Sequence, residues 1–270
     1  MAEAVMASSA ARVLVAMDAE ALSALALKAG AGLAAALGAR LEALFVENAD
    51  LVRLGGLPFA SEISALTGAW RDVAAEEVER SLRLEAARIE RLVAEAAEQA
   101  RVPWSFDTTR GRLVAQAVAR EAELTILGVA DRGGELARRF AAPRRAHRAL
   151  ASLAVLFDAS PASFRALEIA GRLADELGSE LRLLTPAAAE AEKAALRDRA
   201  EQWLATEGRA GLALSLEPGQ GSLANTLRRT RSELLVHGVP DLGQSLRSLV
   251  TLVAQVSCPV LVVRATRGET

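Results

Sequence analysis

Two aspartates stand where an apolar stretch of the chain gives way to a helical one. Asp18 follows Arg12–Met17, and Asp158 follows Ser152–Phe157; both stretches have the composition of buried strands. A carboxylate at such a strand end can hold a ligand hydroxyl or a metal ion. It can equally cap the next helix, because the helix dipole and the free N–H groups favour a negative charge there. Each aspartate belongs to its own half of the chain, so the two are not an acid–base pair.

The other reactive side chains form no catalytic pattern. His237 precedes Gly238 and titrates near physiological pH, but we expect a half-buried histidine with satisfied hydrogen bonds on a strand. Two distant histidines, His147 and His237, give neither metal-ligand spacing nor a triad. The single cysteine, Cys258, excludes an internal disulfide framework, and we expect it to be buried and unreactive.

The segment that contains Asp18 occurs twice in the chain. Residues 12–44 align without a gap to residues 152–184, and 12 of the 33 positions are identical. Residues 111–131 align in the same way to residues 221–241, with 7 of 21 positions identical. A repeat this long indicates duplicated domains rather than a solenoid. The sequence therefore predicts a tandem repeat, with domains at 1–150 and 151–270.

Each half alternates strands and helices in the order expected of parallel crossover units. In the first half we predict the helices and strands in chain order as follows: strand 12–17, helix 20–37, strand 41–46, helix 69–100, strand 104–109, helix 113–120, strand 124–127 and helix 134–150. The second half ends with a helix over 244–256 and a strand over 259–264. The predicted fold is α/β, with two tandem doubly wound, Rossmann-like parallel sheets.

The two halves are unequal in length and in strand number. The repeat offset falls from 140 to 110 residues, so about 30 residues of the first half are absent from the second. They include an insertion near 47–68, which could cover one end of the sheet, form a lid or dock a partner. The first half has no obvious fifth strand, so we expect the final strand to find another partner, in a second chain. This expectation is the basis for predicting a homodimer.

Composition excludes several classes of partner. Over 270 residues the net charge is −2, so no overall field attracts nucleic acid or an anionic membrane. An arginine-rich run at 138–148 lacks aromatic residues that would stack bases, and we interpret it as a solvated face or an ion-pair network. The N-terminus lacks the pattern of a secretory signal, and no apolar run predicts a membrane span. We therefore expect a cytoplasmic protein.

Strand-end aspartates, strand–glycine turns and the closing segment Ser257–Arg264 together resemble the universal stress protein family. The resemblance covers nearly the whole chain and implies open parallel sheets that often bind ATP. It places Asp18 and Asp158 beside the adenosine part of a nucleotide. It also implies that Gly128 and Gly238 open a phosphate loop, where glycine lets backbone N–H groups approach anionic oxygens.

The sequence departs from that family where the phosphates would bind. ATP-binding members have a second glycine three residues after the first, but this chain has Asp131 and Asp241 at those positions. Pro240 removes an amide donor, Gly243 is displaced, and the later serine position falls near Ser248. A carboxylate there repels phosphate unless a metal ion or arginines intervene. We therefore expect no cofactor, with ATP or AMP as the possible exception.

Three functions remain open from the sequence. The preferred one is a non-enzymatic stress-response or regulatory protein with a degenerate nucleotide site, which acts through protein contacts. The alternative is an ATP- or AMP-binding sensor with a non-standard phosphate loop, in which Asp131 or Asp241 holds a metal ion. The second alternative is a nucleotide-dependent enzyme of the same fold class, for which the sequence supplies no nucleophile–base pair.

Overall fold

The computed structural model describes most of both halves of the chain. The described residues are 12–19, 24–50, 53, 61–63, 68, 70–72, 75–128, 150, 152–185, 189–208, 214–218 and 223–265. Several sequence predictions lie outside them: the helix over 134–150 except Leu150, the arginine-rich run, His147, Asp131 and most of the 47–68 insertion.

Eleven strands and seven helices make up the described part of the chain. The strands are β1 (Arg12–Met17), β2 (Arg40–Asn48), β3 (Ser61–Ile63), β4 (Trp70–Asp72), β5 (Trp104–Gly111), β6 (Leu124–Leu127), β7 (Ser152–Leu156), β8 (Glu180–Thr185), β9 (Leu214–Pro218), β10 (Leu234–Val239) and β11 (Val260–Arg264). The helices are α1 (Ala24–Leu37), α2 (Ala75–Ala100), α3 (Leu113–Ala119), α4 (Pro161–Leu177), α5 (Glu190–Thr206), α6 (Leu223–Arg229) and α7 (Leu246–Gln255).

Nine of the strands form one continuous sheet. Their order is β5-β2-β1-β6-β11-β10-β7-β8-β9. In the first half β1 lies between β2 and β6, and in the second half β7 lies between β8 and β10 in the same way. All neighbours in this sheet are parallel except β6 and β11. This arrangement confirms the predicted doubly wound α/β fold.

Helices cover both faces of the sheet, as its buried strands require. Val13 and Val15 of β1 belong to the core on the side of the sheet that α1, α2, α4 and α5 cover, whereas Leu14 and Ala16 belong to the core on the side of α3, α6 and α7. Gly30 of α1 lies so close to the sheet that a Cβ atom there would be 2.3 Å from Cγ2 of Val15. Gly30 is therefore a point of close packing between α1 and the sheet.

The final strand holds the two halves together. β11 pairs in parallel with β10 on one side and antiparallel with β6 on the other, with Val262 opposite Thr125. The strand therefore has its partner within the same chain. The homodimer stays a prediction, but the argument that this strand needs a second chain is wrong.

The long helix of the first half is shorter than its sequence suggests. We predicted a helix from residue 69, but Trp70–Asp72 pairs antiparallel with Ser61–Ile63 as a separate hairpin, and α2 begins at Ala75. The hairpin, together with the 26 residues of α2 against 17 in α5, accounts for much of the extra length of the first half. None of the helices that the structure describes is both long and apolar enough to span a lipid bilayer.

Candidate functional site

A cavity lies above the carboxyl ends of β7, β8 and β10 in the second half. Its volume is about 310 Å³. It is lined by Leu156, Phe157, Asp158, Ser160, Ser163, Leu184, Thr185, Leu223, Thr226, His237 and Gly238. The helix α4, which follows β7, packs on one face of the sheet, and α6, which precedes β10, packs on the other. The cavity therefore lies where the winding reverses, which is the usual ligand position in open α/β sheets.

Asp158 is part of the start of α4. Its Oδ1 accepts the backbone N–H of Ser160 at 2.9 Å, and the Oγ of Ser160 accepts the N–H of Ser163 at 3.2 Å. Pro161 follows in the first turn, where its missing N–H costs nothing. Partial burial alone would raise the pKa of Asp158, but hydrogen bonds from Ser160 and Ser163 outweigh it and lower the pKa. The N-cap of α4 is thus Ser160, whereas Asp158 stabilises the turn that leads into the helix, and its carboxylate stays ionised.

His237 lies in β10, two residues before the strand ends, and its predicted partial burial is confirmed. Burial lowers its pKa, and the negative charge of Asp158 offsets only part of that effect. The imidazole is therefore neutral at pH 7. Within the part of the chain that the structure describes, no hydrogen bond joins His237 to Asp158 or Ser163, so these residues do not form a catalytic triad.

The lowered pKa of His237 gives a stability prediction. The unfolded chain binds a proton at this histidine near its ordinary pKa of about 6.5, whereas the native protein binds it only at lower pH. The unfolding free energy should therefore fall as pH drops below about 6.5, by at most about 1.4 kcal/mol per pH unit. Urea unfolding between pH 7.5 and pH 5 should show that the unfolding free energy of His237→Gln changes less with pH than that of the unmodified protein. Equal pH dependences in the two proteins would contradict the burial of this side chain.

Gly238 permits a close contact between β10 and α4. A Cβ atom there would be 1.9 Å from the carbonyl oxygen of Ala162 and 3.0 Å from the nitrogen of Ser163. The backbone of the first turn of α4 thus occupies the space beside this glycine. The resemblance assigns Gly238 to phosphate approach, whereas the structure gives it a packing role.

The loop after Gly238 uses Asp241 internally. Oδ1 of Asp241 accepts the backbone N–H of Gln244 at 2.8 Å, and a Cβ atom at Gly243 would be 3.3 Å from the same oxygen. The hydroxyl of Ser248 donates to the carbonyl oxygen of Ser245 at 2.9 Å. None of Asp241, Gly243 and Ser248 lines the cavity. The structure therefore brings Asp158 and Gly238 together, whereas Asp241 and Gly243 lie in the loop after β10 and Ser248 lies in the first turn of α7.

The corresponding residues of the first half are less completely described. Asp18 follows β1 and is half-buried, and the N–H of Gly128 donates to the carbonyl oxygen of Ala16 at 2.9 Å. Residues 20–23, 51–52, 54–60 and 129–149, Asp131 among them, lie outside the described residues. The ends of β1 and β6 therefore lie side by side in this half, as those of β7 and β10 do in the other.

Sequence reasoning missed most of the hydroxyl groups of the cavity. Ser163 and Thr226 are buried in the described structure, and Thr185 ends β8. One signal was available, because a serine followed by proline after a strand predicts a helix cap at Ser160. Thr226 lies on a short helix and no local pattern distinguishes it.

Metal and thiol chemistry receive no support from the described residues. No three His, Cys, Asp or Glu side chains among them come together in an arrangement that could hold a metal ion. Burial raises the pKa of the Cys258 thiol to about 12, so the reactive thiolate is scarce at neutral pH. Cys258 is therefore a packing residue, as we predicted.

The strand order and the cavity at the strand ends define a doubly wound α/β protein, and its fold is similar to that of a universal stress protein of known structure. A solved universal stress protein from Archaeoglobus fulgidus aligns with 95% of this chain and 97% of its own length, at 14% identity and a TM-score of 0.52. That likeness shows the fold. No family model matches the sequence, and no curated protein matches it.

Two further solved structures align with less than half of the chain. A universal stress protein in complex with cAMP covers 44% of this chain and 99% of its own, at 23% identity and a TM-score of 0.35. A universal stress protein family protein from Arabidopsis thaliana with AMP bound covers 44% of this chain and 95% of its own, at 18% identity and a TM-score of 0.34. These scores are too low to indicate a ligand for the present chain.

Proposed function

We propose that this chain is a non-enzymatic regulatory protein of the universal stress type, which acts through protein contacts in the cytoplasm. In this proposal its nucleotide site has lost the loop that binds phosphate. The fold shared with the Archaeoglobus fulgidus protein supports the type of protein. The loss of phosphate binding is supported by the chain's own residues.

The observation that carries the proposal is the position of Asp241. Its carboxylate already accepts the N–H of Gln244, an amide that a phosphate oxygen would otherwise be free to use. Two negative charges 4 Å apart repel by about 1 kcal/mol in water and about 4 kcal/mol near a protein surface. The loop therefore contains its own anion and disfavours a second one.

The proposal also includes a lack of catalytic turnover, and the side chains of the cavity support it. The hydroxyl of Ser163 donates to the carbonyl oxygen of Ser160 at 2.9 Å, and no hydrogen bond joins it to His237 in the described part of the chain. His237 has no hydrogen-bonded nucleophile among the described residues. Nucleophilic catalysis needs a side-chain nucleophile within hydrogen-bond reach of its base, and His237 lacks one among the described residues.

A nucleotide-binding sensor is the second candidate, because a cavity does remain at the strand ends. In that case Asp241, or Asp131 in the first half, would hold a metal ion that bridges to the phosphates. The metal ion would have to replace the hydrogen bond that Asp241 receives from Gln244.

Calorimetric titration of the full chain with ATP, ADP and AMP, with and without Mg²⁺, separates the two candidates. We expect no saturable ATP binding below about 1 mM and no release of phosphate from ATP. A Kd of about 1 mM corresponds to a binding free energy of about −4 kcal/mol, so any ATP binding should be weaker than that. Micromolar ATP affinity that requires Mg²⁺ would favour the sensor. Phosphate release that His237→Ala abolishes would instead establish an enzyme.

A further inference from the structure

A second, larger cavity lies between helices α1 and α2 of the first half. Its volume is about 650 Å³, within the range of small-molecule pockets, and Glu176 and Leu177 at the end of α4 also line it. None of its described lining residues lines the cavity above β7, β8 and β10 as well. The two cavities are therefore separate, and the strand-end aspartates do not line this one.

The internal repeat shows what occupies the same position in the second half. Ala24, which lines the cavity, aligns without a gap with Phe164 of α4. The ring of Phe164 packs against Trp203 of α5 with centroids 5.7 Å apart, and edge-on against Phe157 at 5.1 Å. Both separations are in the range that aromatic pairs prefer. Aromatic rings thus fill the space beside α4, whereas α1 has a methyl group in their place.

The neighbouring helices α2 and α5 show the same difference. Their C-terminal ends correspond, because Arg101 and Gly208 both have positive φ and both donate an N–H to the carbonyl oxygen three residues earlier. Counted back from these two residues, Trp203 corresponds to Ala96, which lines the cavity. Buried residues coincide in the same alignment: Val93 with Ala200, and Ala97 with Leu204. Two alanines therefore stand where the second half has a Phe–Trp pair, which accounts for the open space between α1 and α2.

The lining of this space suits an uncharged ring. Leu27 and Ala31 of α1 are buried, and Leu92 of α2 is half-buried. Two bases and two acids of the described lining cancel in charge: Lys28, Arg101, Glu95 and Glu176. An apolar ring gains from such a site because its surface is removed from water.

We propose that the cavity between α1 and α2 binds a free, uncharged aromatic molecule of one or two rings. The ligand takes the place that Phe164 and Trp203 fill in the other half, and it contacts Leu27 and Leu92. A space bounded by three helices is concave, which is typical of small-molecule sites. This inference goes beyond the proposed regulatory role, and neither depends on the other.

Indole, the ring system of the tryptophan side chain, is the probe. Calorimetric titration of the full chain should show saturable binding with a Kd below about 1 mM. The double variant Ala24→Phe, Ala96→Trp rebuilds the Phe–Trp pair in the first half, so it should weaken indole binding at least tenfold. Ala87→Trp, on the exposed surface of α2, adds the same ring outside the cavity and should leave the affinity unchanged.

Thermal unfolding checks that each variant is folded, and Ala96→Trp alone provides a milder substitution. It should weaken indole binding at least threefold. Failure of indole to bind the unmodified protein at about 1 mM would overturn the proposal. Binding of unchanged affinity in both Ala96→Trp and the double variant would place the ligand elsewhere and would also overturn it.

Two further measurements distinguish a free ligand from a protein side chain. N-acetyltryptophanamide carries the indole ring on a peptide backbone, and we expect it to bind at least fivefold more weakly than indole. Equal or tighter binding of the amide would assign the cavity to a partner's side chain and overturn the proposal. Sedimentation should show the same oligomeric state with and without the double substitution. A dimer that the double variant dissociates would assign the cavity to a second copy of the chain instead.

Discussion

Replacing Gly238 with alanine should lower the unfolding free energy by about 3 kcal/mol or more. The added methyl group would lie 1.9 Å from the carbonyl oxygen of Ala162, far inside van der Waals contact. That oxygen belongs to the backbone of α4, so the clash is relieved only if the helix or β10 moves. Urea unfolding of the purified variant would measure the loss.

Gly243→Ala is the matched control for this substitution. Both glycines lie in the segment that resembles a phosphate loop, but a methyl group at Gly243 would be 3.3 Å from a side-chain oxygen of Asp241. We expect this variant to lose less than about 1 kcal/mol. If Gly238→Ala were as stable as Gly243→Ala, the packing role of Gly238 would be wrong and its ligand role would regain support.

Placing an aspartate at Val262 should unfold the protein or cost about 4 kcal/mol or more, because an unpaired charge would be buried. Val262 is 0% exposed and lies in β11, between β10 and β6. Since β11 joins the two halves of the sheet, we expect both halves to be destabilised together. Circular dichroism during thermal unfolding would show a lower midpoint for the whole signal.

Val250→Asp provides the matched control, because it makes the same chemical change on the outer side of α7. Val250 is 49% exposed, so the new carboxylate remains in water and the expected change is within about 0.5 kcal/mol. Wild-type stability of Val262→Asp would contradict the central position of the final strand.

The sequence predicted the strands well because their signal is local. β1 and β6 appear at their predicted bounds, and β11 differs by one residue, since buried parallel strands are short apolar runs between helices. The sheet order within each half then follows from the repeat and from the crossover rule. The hairpin of β3 and β4 was missed, because three-residue strands carry almost no pattern.

The partner of the final strand was not predictable from the same signal. An apolar run indicates a buried strand, but it does not say which edge the strand pairs with or in which direction. The antiparallel pairing of β11 with β6 depends on how the two halves pack, including the contact of Gly32 in α1 with Leu177 in α4. Such contacts join residues that are far apart in the sequence, so no local pattern predicts them.

The candidate site was predicted in part. Asp158, His237 and Gly238 do meet at one cavity, because carboxyl ends of neighbouring parallel strands share one edge of the sheet. The functions of Gly238 and Asp241 were less predictable, since they depend on distances of a few ångströms to backbone groups of α4 and of the loop. The resemblance predicts an altered loop after Gly238, and in the structure Asp241 accepts the N–H of Gln244 within that loop.

Titration of Asp241 variants with ATP and Mg²⁺ tests most directly whether this carboxylate prevents phosphate binding. Asp241→Asn removes the charge and retains an oxygen for the N–H of Gln244, whereas Asp241→Gly removes both the charge and the acceptor. We predict that ATP affinity rises at least fivefold in the asparagine variant and further in the glycine variant. Tight ATP binding by the unmodified protein that neither substitution improves would contradict the proposal.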